Sequence, residues 1–306
     1  MFNKQWTRSS YGCAIDKDVC LVVRVRYNKT ARILEVLDTI VGRSDDQQFW
    51  SSLARKLGRK PLWISLAYAK PSDRNDVVVF KIDDGDGMIK GKRLKAAAIS
   101  QLQEAEHNKS ADYIRTASAF TSSAKKKHHL GASAPQEIFK ATIQAWKTRG
   151  ILNPCVGSVR AAMVNVYLAL KESASHAMPD GDGHHCILGS QVLDTDVFCY
   201  LQGEAFIDSG ISQWDGRAAE GFIYHAYDWA KDFSKKYAFE KVRFCFIGRE
   251  RSEFTAAILP KDESAFFWPR PWEQQVQFRS DIMRDTFTKQ NTQLGVVALG
   301  LALHGV

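Results

Sequence analysis

Two short stretches combine carboxylates, glycines and histidines in ways that suit a cation. Asp83-Asp84-Gly85-Asp86-Gly87 opens like a calcium loop, where alternate carboxylates supply oxygen ligands and glycine makes the sharp turn. The closing glutamate at the twelfth position is missing, and Leu94 stands there instead. The stretch therefore reads as a polar hairpin turn. Asp180-Gly181-Asp182-Gly183-His184-His185 mixes hard oxygen and imidazole donors, but with Met178-Pro179 before it the segment reads as a flexible linker. The six cysteines (13, 20, 155, 186, 199 and 245) fall mostly in apolar runs and never as C-x-x-C, so reduced buried thiols are expected. His107, His128, His129 and His176 lie in polar contexts that suit exposed side chains. No G-x-x-x-x-G-K-[ST] loop, G-x-G-x-x-G fingerprint, G-x-S-x-G elbow or H-E-x-x-H pair is present, which excludes the common hydrolases and dehydrogenases.

The elements that would position any chemistry follow one order twice. Runs rich in branched residues at 13–16, 19–25 and 33–37 read as consecutive strands joined by turns. A helix at Asp46–Leu57 places Phe49, Trp50, Leu53 and Leu57 on one face, Gly58 stops it, and Leu62–Ala67 forms a buried strand. The same succession returns at 186–189, 197–201 and 205–208, followed by a helix with Ala219, Phe222, Ile223, Ala226, Ala230, Phe233 and Tyr237 on one stripe, then a strand at 242–248. Duplicated α/β halves are expected, 1–172 and 173–306, with an insertion at about residues 70–130 in the first. Two helices lie between them. One runs to Arg149 with Phe139, Ile143 and Trp146 inward and Gly150 as a left-handed cap. The other runs from Ser158 to Leu170, with Val159, Ala162, Met163, Val166, Tyr167 and Leu170 inward.

The chain of 306 residues is 45% hydrophobic and 25% charged, an ordinary globular balance that excludes extensive disorder. No run of 18 apolar residues spans a bilayer, and the N-terminus lacks a signal-peptide core, so a cytoplasmic protein is expected. The net charge of +8 permits an anionic partner. Lys125-Lys126-Lys127-His128-His129, its dense run, reads as a solvated loop. The apolar segment Leu294–Val306 is too short to cross a membrane and is expected to be a buried helix, packed beneath the second-lobe sheet close to Gly248.

At Pro135–Leu170 the chain resembles the actin-like pilus-assembly proteins called PilM. There a helix ends at glycine (here Glu137–Arg149 and Gly150), a proline-containing strand follows (Ile151-Leu152-Asn153-Pro154), and an alanine-rich helix closes the first lobe (Val159–Leu170). Val296-Val297-Ala298-Leu299-Gly300-Leu301-Ala302-Leu303 is similar to that family's closing helix, and the order of strand clusters extends the likeness over nearly the whole chain. The resemblance implies a two-lobed actin-like ATPase fold (a duplicated ribonuclease H-like fold), with nucleotide held between the lobes by two glycine hairpins. It also implies a cytoplasmic scaffold at the inner membrane, related to the L component of type II secretion, that takes a short cytoplasmic peptide of a membrane-anchored partner.

The nucleotide motifs depart from the family's. The first hairpin's G-I-D-I-G becomes Ala14-Ile15-Asp16-Lys17-Asp18: the carboxylate Asp16 is kept, both glycines are lost, and Lys17 partly offsets Asp18. The second hairpin's D-I-G becomes Ile187-Leu188-Gly189, and the adenosine-side glycine pair reduces to Ile247-Gly248. Asp16, Lys17, Gly189 and Gly248 thus mark a vestigial cleft, and a degenerate scaffold without catalytic residues or cofactor is expected. Two readings compete with it. One is an actin-like ATPase in which ATP and magnesium still bind at Asp16 and hydrolysis is slow. The other is a basic nucleic-acid-binding protein, disfavoured because no aromatic–basic motif accompanies the lysines. An anionic membrane surface is a further partner that the charge permits.

Overall fold

The computed structural model describes residues 8–28, 33–65, 78–82, 96–97, 100, 129–133, 136–173, 185–192, 195–203, 205–213, 219–247, 265–268, 276–290 and 292–304. Asp83–Gly87, Lys125–Lys127, Asp180–His184 and Gly248 lie outside the described residues, as does nearly all of the insertion.

Strands β1 (Ser10–Asp16), β2 (Val19–Asn28) and β3 (Ile33–Arg43) form an antiparallel meander. Helix α1 (Gln47–Leu57) then crosses to β4 (Leu62–Ser65), which lies parallel to β1. After the two-stranded ribbon β5 (Val78–Ile82) and β6 (His129–Ser133), helix α2 (Gln136–Thr148) leads to β7 (Pro154–Gly157), parallel to β4. Helix α3 (Val159–Ser173) ends the first half. The second half repeats the scheme. Its meander is β8 (His185–Val192), β9 (Thr195–Gln202) and β10 (Ala205–Gln213), followed by α4 (Ala219–Tyr237) and the parallel strands β11 (Arg243–Ile247) and β12 (Ala265–Trp268). The sheets therefore run 3-2-1-4-7 and 10-9-8-11-12, the same topology twice. This is the two-lobed, duplicated fold that the sequence implies.

The chain then returns to where it began. Strand β13 (Val276–Phe278) adds to the outer edge of β3, and helices α5 (Asp281–Gln290) and α6 (Thr292–Leu303) follow. Helix α6 is buried as expected, with Leu299, Leu301 and Leu303 at 0% exposure. Its place differs from the expectation. It lies chiefly on β1, β2 and β4 of the first sheet and against α3, with a lesser contact to β8 of the second sheet; Gly248 itself lies outside the described residues. Small residues set this position. A Cβ on Gly12 would stand 2.0 Å from the Ala298 carbonyl oxygen, and one on Gly300 would stand 2.1 Å from that of Ala162. Backbone can approach backbone that closely only where a glycine on one surface meets a small residue on the other. The aliphatic side chains α6 removes from water stabilise the fold by on the order of 10 kcal/mol, an upper bound for area removed from water.

Helix α3 is not the one-sided helix its stripe implies. Every residue from Val159 to Ala169 is buried, because α6 covers one side and β8 and β9 of the second sheet cover another. A helix apolar all round belongs inside a protein. The expected faces of α1 and α2 hold: Trp50, Leu53, Leu57 and Trp146 are buried, and Gly150 takes the left-handed conformation at φ 85°. Five of the six cysteines are buried, Cys155 is half-buried, and all six are free. No helix among the described residues is long and apolar enough to cross a membrane.

Candidate functional site

Parallel strands place their carboxyl ends, and the loops that follow them, along one edge of a sheet, where α/β folds put ligands. In the first sheet that edge is formed by Asp16, Ser65 and Gly157 at the ends of β1, β4 and β7. The pleat puts Gly12, Ala14 and Asp16 on one face of β1, the face that α6 covers at Gly12. Asp16 thus ends β1 on the same face as Gly12.

The β1–β2 turn is tied down. Lys17 has a φ of 52°, a left-handed position that lacks its usual glycine. Ser44 donates from its backbone N–H to the Asp18 carbonyl at 2.7 Å and from its hydroxyl to the Lys17 carbonyl at 3.1 Å. The Asp18 carboxylate lies 3.8 Å from Arg43, whose guanidinium also grips Asp45 through two bonds of 3.0 Å. That pairing holds the Asp45 carboxyl below the usual carboxylate range. The turn that should present bare N–H groups to phosphate instead carries a carboxylate and is fastened to the end of β3.

The second hairpin, β8–β9, is offset from the reading of its sequence. Asp16 pairs with Val19 at the lip of the first hairpin, whereas Gly189 pairs with Phe198, three ladder steps inside the lip pair Val192 and Thr195. By register, the first-lobe counterpart of Gly189 is Cys13, not a residue of the turn. A Cβ on Gly189 would meet Phe198, Phe222 and Phe246 at 3.1 Å each. The glycine makes room for aromatic packing beneath α4. Three of the four cleft residues inferred from sequence are thus placed as follows: Asp16 and Lys17 at the first lip, and Gly189 within the second sheet.

Polar side chains that sequence reasoning missed gather at the second lip. Asp196, fully buried, faces α4, where His225 Nδ1 lies 2.7 Å from its Oδ2. Gln191 is opposite Asp196 in the ladder, and Ser190 and Thr195 are buried with hydroxyls that find no hydrogen-bond partner among the described residues. Nothing in spacing links Asp196 to His225. The one available signal was an aspartate in the otherwise strand-like run Thr195–Leu201.

A second polar group lies where α6 ends over β7. Asn165 donates from Nδ2 to the Gly300 carbonyl at 3.3 Å and lies 3.2 Å from His304 Nδ1. An amide nitrogen facing two acceptors assigns the neutral imidazole with its proton on Nε2. Burial, the dominant effect, pushes the His304 pKa down to about 4. Its ring lies 5.1 Å from that of Trp63 and passes Gly157 so closely that a Cβ there would sit 2.8 Å from Nε2. Across the lobes, buried Arg160 at the start of α3 donates from Nη1 to Ser209 Oγ on β10 at 2.9 Å, and desolvation lowers its pKa.

Among the described residues, no group of three metal-ligating side chains exists. The first turn carries the Asp18 carboxylate where the resemblance implies bare backbone, and the second turn and Gly248 lie outside the described residues.

No protein-family model and no curated protein sequence matches the chain. Solved structures do. The PilM-PilN type IV pilus biogenesis complex is similar over 97% of this chain and 98% of that one, at 14% identity and a TM-score of 0.59. The cytoplasmic domain of EpsL, an inner-membrane component of the Vibrio cholerae type II secretion system, aligns with 94% of this chain and 98% of its own, at 9% identity and a TM-score of 0.41. A Bacteroides thetaiotaomicron protein with an actin-like ATPase fold and unknown function aligns with 94% of this chain and 96% of its own, at 11% identity and 0.41. The chain has the actin-like ATPase fold.

Proposed function

We propose that this protein is a cytoplasmic scaffold of a type IV pilus or type II secretion-like platform, peripheral to the inner membrane. In this reading it takes a short cytoplasmic peptide from a membrane-anchored assembly protein and no longer hydrolyses nucleotide. The observation that carries the loss of hydrolysis is the first turn. Asp18 puts a carboxylate where phosphate would approach bare backbone, and Ser44 ties that turn to the end of β3. The likeness of the whole chain to the PilM-PilN complex supports the partner class. Peptide capture works through packing and backbone hydrogen bonds, so it survives loss of a phosphate cradle.

The test uses a synthetic peptide copying the cytoplasmic tail of a single-span protein encoded beside this chain. Saturable binding is expected, with no dependence on ATP or magnesium. Absence of binding to any such tail would sink the scaffold. Asp16 favours a second reading, an ATP-binding actin-like protein, because it ends β1 at the edge where ligands collect. Titration with a fluorescent ATP analogue decides between them. Micromolar, magnesium-dependent binding abolished by Asp16→Ala would establish the ATP reading and remove the first.

A further inference from the structure

The edge of the first sheet opposite the cleft carries positive charge without compensation, and we propose that it docks on an anionic lipid bilayer. Residues 47–62 hold Arg55, Lys56, Arg59 and Lys60 with no carboxylate, and residues 138–154 hold Lys140, Lys147 and Arg149 with none. The sequence separates these stretches, and the fold joins them. Trp50 of α1 and Trp146 of α2 pack edge to face at 5.2 Å, and the Arg149 guanidinium lies 5.4 and 5.5 Å from the two rings. The Leu62 N–H donates to the Asn153 carbonyl at 3.1 Å, which sets the loop after α2 beside Lys60. Arg24 and Lys60 both lie over the Tyr11 ring, at 5.4 and 5.8 Å.

The nearby acids are already engaged. Asp38 pairs with Lys56, and Glu35 with Arg26 and Arg279. Arg55, Arg59, Lys60, Lys147 and Arg149 make no salt bridge among the described residues.

Basic residues at helix C-termini also serve the helix dipole, which accounts for Arg55, Lys56 and Lys147. It does not account for Arg59 and Lys60 beyond α1, nor for the missing acids. Helix α4 likewise ends in Lys235 and Lys236, yet it interleaves Glu220, Asp228 and Asp232. Leu152 decides the class of partner. It stands 66% exposed in the loop between α2 and β7, within the basic rim. A bilayer offers both phosphate headgroups for the cations and acyl chain for the leucine, whereas a nucleic-acid backbone offers nothing to the leucine.

The inference rests on the scaffold reading only in placing the chain beside a membrane, and its test needs no partner protein. The full chain is sedimented with phosphatidylcholine vesicles, with and without phosphatidylglycerol. Binding is expected only with phosphatidylglycerol, weakening as salt rises. Each cation contributes about fivefold, so Arg55→Glu with Arg59→Glu should weaken binding by at least about tenfold. Leu152→Ser should weaken it severalfold without changing the salt dependence. Lys231→Glu with Lys235→Glu on α4 should leave it unchanged. Equal binding to both vesicles, or equal loss in the α4 variant, overturns the proposal. Tighter binding to duplex DNA at the same salt, lost in the Arg55/Arg59 variant, would reassign the rim to nucleic acid. Peptide binding by the same proteins separates the two readings: intact peptide binding without vesicle binding overturns the rim alone, and the reverse overturns the scaffold alone.

Discussion

The first hairpin of each lobe has the same register and the opposite character. Counting from the lips, Ala14, Ile15, Val19 and Cys20 in the first lobe stand where Ser190, Gln191, Thr195 and Asp196 stand in the second. In the first lobe these positions are apolar, and the β1 face carries Gly12 so that α6 can lie on the backbone. In the second they are polar and buried, with α4 supplying His225. One copy of the motif has become a bed for the terminal helix, and the other keeps the hydrogen-bonding side chains. Duplication gave two equal scaffolds, and what packs on each decided which could stay polar.

The sharpest way to break that contrast is to put a side chain where α6 crosses β1. Gly12→Val drives carbon into the Ala298 carbonyl and the Ala302 backbone nitrogen, neither of which can move without unseating the helix. We expect a loss of more than about 3 kcal/mol, read as failure to fold or a collapsed urea midpoint. Gly189→Ala, at 3.1 Å from three ring edges, should cost about 1–3 kcal/mol. Equal costs would show that the first hairpin is not specialised as a helix bed.

The next test removes the polar character of the second lip. Asp196→Ala removes the acceptor that His225 meets and leaves a gap in the second lip, so it should cost about 1–3 kcal/mol in chemical denaturation. Cys20→Ala at the equivalent position trims one buried sulfur from an apolar site and should cost about 1 kcal/mol. His225→Ala should cost less in the Asp196→Ala background than alone. Additive losses would show that the two side chains do not act as a pair.

These contrasts also measure what the sequence could say. The meanders were legible because branched residues and turn residues alternate at hairpin spacing. The location of α6 was not. A helix apolar on every side declares that it is buried but not against what, and only Gly12 and Gly300 meeting Ala298 and Ala162 choose the first lobe. Asp16 was found because Ala14–Asp18 matches the first hairpin of the family that the chain resembles. Asp196 and His225 lie 29 residues apart and become neighbours only through the packing of α4 on the sheet. The basic rim was in plain view as two acid-free stretches, yet a search for one dense run leads to Lys125–Lys127 instead.

The His304 site gives a pH test within the first lobe. Burial lowers its pKa from 6.5 to about 4, so the unfolded chain binds the proton more tightly than the folded one. Between those values the unfolded state carries more protons and stability falls as pH falls, while above pH 6.5 the contribution is fully present. The loss at the acid end should be on the order of 3 kcal/mol. Carboxylates titrate in the same range, so the measurement is the difference between the chain and His304→Gln, whose stability should lack this component. Identical pH profiles would mean that α6 ends without burying the imidazole.

The smallest expected effect comes from restoring a glycine to the first turn. Asp18→Gly removes the carboxylate and its 3.8 Å approach to Arg43, an exposed contact, so stability should hardly change. If charge on that turn were the whole obstacle to phosphate, the variant would gain binding of a fluorescent ATP analogue in magnesium. We expect no gain, because Ala14 still stands in place of the first motif glycine and Ser44 still ties the turn to β3. Binding recovered by Asp18→Gly alone would place the defect in one side chain and make the second hairpin a working half of the cleft. No binding there, with none from Asp18→Gly plus Ser44→Ala, places the loss beyond the side chains of Asp18 and Ser44.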